Sequence, residues 1–417
     1  MSTTQAAPAS RGSLAYLVFV LTAGHAVGSM AMLVMPAVAP DVARDYGIDP
    51  SLIGYQISLV TVGLMISLLF LGNLNRKWGA SRTNQLGHLV IAASLLVMLA
   101  PSGAIAIAGS VGIGLGYGFL APSASALLVQ LTPVEKRNMV FSIQQTGVPF
   151  GGMLAATIAP AVAVTAGWRA SLVVTAALLV CAAIVMQIKR AEWDRERDPH
   201  ASALSLDPRA TLGLIWRDRQ LRYMALVGSC FSWGQFVVAS YTVVACVATL
   251  GMSLIAAGTM LTAVQLGNAG GRVLAGWLAD RVGGSTPVLR WISTLMLAGS
   301  IAAFWITPQW PLWLLYLLFA VLGIATGAWA GMVLADIGKR APPAQVGVAI
   351  GGALVFVNIG KFVGPIVFAN VYLVTQSYPT AFTSMAVPAL VSLYLLKRLG
   401  PKPSGGPSLT SGKVPAP

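Results

Sequence analysis

Charge is scarce in this 417-residue chain: Asp, Glu, Lys and Arg together make up 9 % of it, against about a quarter in a soluble domain. Acidic residues are scarcer still, twelve in all, while 56 % of the chain is apolar and the mean hydropathy is +0.78. No soluble core of this length could hide so much apolar surface, so the chain reads as a polytopic membrane protein. Cysteine is nearly absent: Cys181, Cys230 and Cys246 lie in apolar stretches without C-x-x-C spacing, which excludes a disulfide framework and leaves them as small packing residues. The chain also lacks a metal-ligand cluster, a nucleophile with base and acid, a phosphate-cradling loop and an ATP-binding domain. Enzymatic activity, a bound cofactor or metal, and primary pumping are therefore not expected. What is abundant is glycine (44) and proline (24), set inside apolar runs, where neighbouring helices tolerate them as packing and hinge residues.

A membrane span needs roughly 20 apolar residues, and twelve such runs are predicted, at 14–39, 52–72, 83–101, 104–131, 139–166, 169–188, 221–249, 252–278, 288–306, 311–334, 346–371 and 376–397. The formal charge of +14 would suit a nucleic-acid partner if the basic residues were clustered. Instead they sit in alternate connections: Arg76, Lys77 and Arg82, then Lys136 and Arg137, the 189–222 segment, Arg281 and Arg290, Lys339 and Arg340, and Lys397 onward. The opposite connections hold only Arg44 and Arg169. By the positive-inside rule both termini are cytoplasmic, in a multi-pass plasma (inner) membrane protein whose first run is retained. The only long polar stretch, 189–220, divides the spans six and six. The expected organisation is a tail at 1–13, a six-helix bundle at 14–188, a cytoplasmic linker at 189–220, a second bundle at 221–397 and a disordered tail at 398–417.

The halves resemble each other. The loop Gly72-Asn73-Leu74-Asn75-Arg76-Lys77-Trp78-Gly79 parallels Gly276-Trp277-Leu278-Ala279-Asp280-Arg281-Val282-Gly283, and Gln144 to Gly151 parallels Asn358 to Pro365. Two parallel six-span halves are a frequent design among secondary transporters. With its G-x-L-x-D-R-x-G loop, twelve runs, basic central loop and Gly/Pro-rich fifth span, the sequence resembles the major facilitator superfamily. That resemblance implies an all-α fold of two pseudo-symmetric six-helix bundles rocking about a central cavity. It also gives Gly72, Arg76, Gly79, Gly276, Asp280, Arg281 and Gly283 a gating role at the cytoplasmic face, and it implies that one copy suffices for function.

Two cations belong to neither side of the membrane. Lys361 lies in the middle of an apolar run, where even gentle scales place a lysine at roughly +2.5 to +3.5 kcal/mol, so it should face a cavity or a partner. Gln265, Asn268 and Arg272 share one face of the eighth span at i, i+3 and i+7. All twelve acids, by contrast, fall in loops or at span ends. A cavity with two cations and no counter-ion points to an organic anion as substrate, and a carboxylate suits a guanidinium fork and an ammonium. A basic residue in span 8 with a lysine in span 11 is similar to the oxalate:formate antiporter and monocarboxylate transporter branches, a resemblance that implies carboxylate binding by Arg272 and Lys361.

The function expected is therefore alternating-access transport of a mono- or dicarboxylate, as proton symport or anion exchange. The other reading is proton-coupled efflux of amphipathic drugs, which the apolar cavity and the fifth span suggest. Substrate-binding candidates besides Lys361 and Arg272 are Gln144, Gln265, Asn268, Asn358 and His25. Gln56, Gln145, Trp233, Gln235, Tyr241 and Trp329 are further lining groups. His25, which titrates near neutrality, and Asp41 are the candidates for proton coupling.

Overall fold

A computed structural model of the chain describes residues 11–71, 73–133, 136–194, 197–200, 202, 208–342 and 345–399, and every regular element among them is helical. The principal helices are α1 (Arg11–Ala37), α2 (Ile53–Phe70), α3 (Ala80–Val97), α4 (Gly103–Leu131), α5 (Gly147–Ala166), α6 (Trp168–Gln187), α7 (Arg219–Leu250), α8 (Leu254–Arg281), α9 (Ser285–Phe304), α10 (Leu312–Gly327), α11 (Val346–Thr375) and α12 (Ala386–Arg398). Ten helical segments are long and apolar enough to cross a membrane. The other two long helices are the polar ones: α3 begins with Ser81, Arg82, Thr83, Asn84 and Gln85, and α8 carries Gln265, Asn268, Arg272, Asp280 and Arg281.

Boundaries depart from the apolar runs where local chemistry dictates. The run 139–166 is broken into Arg137–Gln145 and α5, and the last run into Tyr378–Phe382, a 3-10 turn at Thr383–Met385 and α12. Each break falls about four residues before a proline, Pro149 or Pro388, whose missing N–H and crowded ring disrupt the turn behind it. Helix α7 begins two residues before the apolar run because Asp218 accepts hydrogen bonds from the Gln220 and Leu221 N–H groups, at 2.7 and 3.0 Å, as an N-cap should. Within the 189–220 segment lie short helices at Arg190–Trp193 and Pro208–Arg217.

Packing repeats with a period of six helices. Helix α2 packs on α4 as α8 does on α10, α1 on α5 as α7 on α11, α3 on α6 as α9 on α12, and α3 on α4 as α9 on α10. Close approach is made by matching glycines. A Cβ at Gly63 or Gly114 would strike the Val111 or Val60 carbonyl between α2 and α4, and one at Gly267 or Gly323 would strike Ala320 or Val264 between α8 and α10. Between α1 and α5, Gly147 and Gly151 lie against Thr22 and Ala26, whereas between α7 and α11 Gly360 and Gly364 lie against Ser229 and Trp233. Structurally, then, Gly147 matches Gly360, one residue away from the sequence alignment, and Val148 rather than Gly147 is the counterpart of Lys361.

Contacts between the two groups run through α2 with α11, α5 with α8 and α1 with α7. At the end where α1 finishes, here termed the sealed end, the Tyr241 hydroxyl lies 3.0 Å from the Ser51 carbonyl oxygen and 2.8 Å from that of Pro365. Nearby, Ser58 Oγ donates to the Phe362 carbonyl (2.7 Å) and Asn370 Nδ2 to the Tyr55 hydroxyl (2.9 Å). Gly54 leaves no space at this seam, since a Cβ there would strike the Tyr241 hydroxyl and approach the Pro365 carbonyl. Gly54→Val is therefore expected to pry the sealed end apart. In a Ser51→Cys background, where position 51 is fully buried, maleimide labelling should be faster with the valine than without it; an unchanged rate would refute this role for Gly54.

Candidate functional site

Near mid-length, the helices enclose a small cavity lined by Ser29, Met32 and Leu33 of α1, Tyr117 of α4, Val148 of α5, Gln235, Phe236 and Ala239 of α7, Val264, Gln265 and Asn268 of α8, and Thr326 of α10. Lys361, the sixteenth residue of α11, is 3 % exposed. Its Nζ sits 4.2 Å from the centre of the Phe236 ring, 5.7 Å from that of Tyr117 and 3.7 Å from Met32 Sδ. Arg272 approaches from α8, donating from Nε to Asn268 Oδ1 at 2.9 Å. Neither cation lines the cavity itself: Lys361 stands behind three of its lining residues, Phe236, Tyr117 and Met32, and Arg272 behind a fourth, Asn268. Four ion pairs are found among the described residues, Arg44–Asp41, Arg169–Asp45, Lys189–Glu192 and Arg340–Asp336, and neither cation takes part in one.

Behind the cavity wall runs a hydrogen-bonded chain. Gln144 Nε2 donates to His25 Nδ1 at 2.7 Å, which leaves His25 Nε2 to donate to the Tyr117 oxygen at 3.2 Å, and the Tyr117 hydroxyl lies 3.0 Å from Ser29 Oγ. His25 and Gln144 are buried behind this wall, and Tyr117 and Ser29 are the members that line the cavity. On the far side Asn268 Nδ2 reaches Gln265 Oε1 at 3.5 Å, and Trp329 Nε1 donates to Gln235 Oε1 at 3.1 Å.

Several sequence candidates stand elsewhere. Asn358 donates to the Leu354 carbonyl of its own helix (2.8 Å). Tyr241 belongs to the sealed end, Trp233 packs against Gly364, Gln145 is exposed, and Gln56 is buried without a hydrogen-bond partner for its amide among the described residues. Asp41 lies in the short helix Ala39–Tyr46, paired with Arg44 at 3.0 Å. His88 holds α3 to α1, its ring nitrogens 2.9 Å from the Asn84 and 3.0 Å from the Gly24 carbonyl oxygen. Tyr117, Met32 and Phe236 were not singled out from the sequence. Tyr117 is flanked by Gly116 and Gly118, a setting that reads as helix packing, and nothing in a run of apolar letters marks Met32 or Phe236 as neighbours of a lysine.

At the opposite end, Gly72 lies outside the described residues. Arg76 is exposed and its carbonyl accepts from Asp198 N (2.8 Å); Asp280 and Gly276 are at the surface, and Arg281 stacks over Trp277 at 4.1 Å. Gly79 and Gly283 both adopt positive φ, +94° and +75°. The carboxylate of Asp194 rests against Gly79 and accepts from the Ser81 and Arg82 N–H groups, at 2.8 and 3.0 Å, closing the start of α3. Burial pushes the Asp194 carboxyl above its ordinary value, against the pull of these two N–H donors and of Arg190 and Arg197. Asp194→Ala should cost about 1 kcal/mol, read as a lower thermal midpoint in detergent, with Asp194→Asn in between.

The fold and this site define a multi-pass helical membrane protein with a small central cavity that two cations stand behind. The chain belongs to the Major Facilitator Superfamily, whose sequence profile matches residues 18–365 and 242–417. It is 25 % identical over 353 residues, 80 % of this chain and 76 % of the relative, to a gentisate transporter of Corynebacterium glutamicum. It is 22 % identical over 394 residues, 85 % and 82 % of the two chains, to a benzoate transport protein of Acinetobacter baylyi. Among solved structures, a bacterial homologue of the human lysosomal transporter Spinster, inward-facing and occupied, superposes with a TM-score of 0.72 at 15 % identity, covering 94 % of this chain and 97 % of that one. The Escherichia coli fucose:proton symporter gives 0.61 at 15 %, covering 92 % and 98 %. At these identities the structural likeness speaks to the fold.

The cavity wall is tight at Gly327, where a Cβ would strike the Asn268 side chain. Gly327→Ala should therefore turn Asn268 away from Arg272 and cost about 1.5–3 kcal/mol, the effect of one lost charged hydrogen bond. Thermal unfolding of the purified protein in detergent is the check.

Proposed function

We propose that this protein is a secondary active transporter of a small organic anion, an aromatic carboxylate foremost, moved across the plasma membrane by alternating access. The observation that carries the reading is the pair of cations, Lys361 and Arg272, set beside one cavity with no acid paired to either among the described residues. A buried cation is costly unless compensated, and a bound carboxylate supplies the compensation. The Phe236 and Tyr117 rings and Met32 offer an apolar wall for the remainder of such a ligand, and the gentisate and benzoate transporters among the relatives support a substrate of that class.

In this reading twelve helices cross the membrane as two bundles about the cavity, α3 and α8 included because their polar faces look inward. Both termini are cytoplasmic, as the basic loops favour, and one copy holds a whole cavity. Substrate enters with Lys361 leaving its aromatic neighbours for the carboxylate. A coupled proton would be carried by His25, one hydrogen bond from the cavity residue Tyr117, rather than by Asp41, which is held by Arg44. Exchange of one anion for another would need neither.

The test is uptake of labelled benzoate, a dicarboxylate and a cationic dye into proteoliposomes. Lys361→Ala and Arg272→Ala should each reduce carboxylate uptake at least roughly thirtyfold, the effect of removing one member of a buried charge pair. Stimulation by an inwardly directed proton gradient, lost in His25→Gln, would mark symport, and stimulation by carboxylate inside the vesicle would mark exchange. Dye transport that survives both alanine substitutions, without carboxylate transport, would overturn the proposal in favour of drug efflux.

A further inference from the structure

The amides of the cavity wall are oriented in a consistent sense. Gln235 spends its carbonyl oxygen on the indole N–H of Trp329, at 3.1 Å, and Trp329 is itself fixed by stacking on Phe231, with centroids 6.4 Å apart and planes within 7°. Asn268 spends its oxygen on Arg272 Nε and its NH2 on Gln265, so the Gln265 oxygen is also committed. The Thr326 hydroxyl donates to the Leu322 carbonyl at 2.7 Å. What Gln235 and Gln265 have left, with no described protein partner, is an NH2 group each, and both residues line the cavity. An amide has two N–H donors and an oxygen with two lone pairs, so holding the oxygen from behind fixes which way the amide faces and leaves its NH2 group to donate.

We infer that Gln235 and Gln265 form a second recognition element, a pair of carboxamide donors that reads an acceptor oxygen on the substrate beyond the carboxylate held by the two cations. Trp329 and the Arg272–Asn268 chain act as positioning residues that fix which atom each amide presents. The preferred substrate then carries a carboxylate and, on its ring, a hydroxyl or second carboxylate. A bare aromatic acid leaves these two donors unsatisfied, and unmade hydrogen bonds in a desolvated site discriminate strongly. This inference rests on the anion-transport reading above and adds to it the chemistry of the substrate's far end.

The experiment measures KM in proteoliposomes for benzoate and for the three monohydroxybenzoates, with wild type, Gln235→Leu, Gln265→Leu and Trp329→Phe. Phenylalanine keeps the stack on Phe231 but removes the indole N–H, so it reports positioning without emptying the site. In wild type at least one hydroxylated isomer should have a KM roughly five- to tenfold below that of benzoate, the value of one good hydrogen bond. That ratio should approach one in Gln235→Leu or Gln265→Leu and fall part of the way in Trp329→Phe. A loss of packing alone would raise all KM values together and leave the ratio in place, which overturns the inference while the anion reading stands. Equal KM values for every isomer in wild type overturn it too. Absence of uptake for all four acids overturns the aromatic-carboxylate reading and this inference with it. Should a leucine variant not fold, the Trp329→Phe ratio decides.

Discussion

An ammonium with no carboxylate beside it among the described residues is the constraint around which the rest of this molecule is arranged. Lys361 is held at the middle of a 30-residue apolar helix by two aromatic faces and a thioether. The closer cation–π contact, with Phe236 at 4.2 Å, returns about 0.5–2 kcal/mol, which does not by itself cover a placement costing roughly 2.5–3.5 kcal/mol on the mildest scale. The remainder is borne by the longer contact with Tyr117 and by packing. Helices that approach through glycine, α1 on α5, α7 on α11, α2 on α4 and α8 on α10, gain van der Waals contact where the hydrophobic effect offers nothing, and it is this frame that holds the cation in place between its neighbours.

The frame is repeated and the chemistry is not. In the register set by the matching glycines, Lys361 corresponds to Val148 and Arg272 to Leu68, while Tyr117 corresponds to Thr326 and Ser29 to Phe236. Both cations therefore belong to the second group of helices. The first group answers with a phenol, a serine, a methionine and, one layer back, a histidine. Packing positions have kept a common solution in both halves, whereas the cavity positions have been assigned different tasks.

Much of this was legible from residue letters. Apolar runs located the helices because the bilayer admits little else, and Lys361 and Arg272 stood out because a charge within an apolar run is expensive. Helix breaks at Gln145 and near Ser384 were harder to see, since the prolines responsible lie about four residues further on. The alignment of the fifth and eleventh spans was one residue off, because conserved spacing of glycines over such short segments does not fix register, whereas backbone contact does. Tyr117 was hidden by its glycine neighbours. Asn358 was misleading in a different way: an amide in an apolar helix needs a partner, and it found one in its own backbone at Leu354 rather than in the cavity.

The Tyr241 hydroxyl has one proton and two carbonyl oxygens within reach, Ser51 in the first group of helices and Pro365 in its own. Were the two groups to part at that end, the proton would stay with Pro365, and only the Ser51 oxygen would need another donor, which arriving water would supply. A seam built from dedicated pairs would expose a bare donor and a bare acceptor at every contact as it separated. Here the latch is shared, so opening it would leave the tyrosine as well satisfied as before, and the same residue that closes the end would do little to resist its opening.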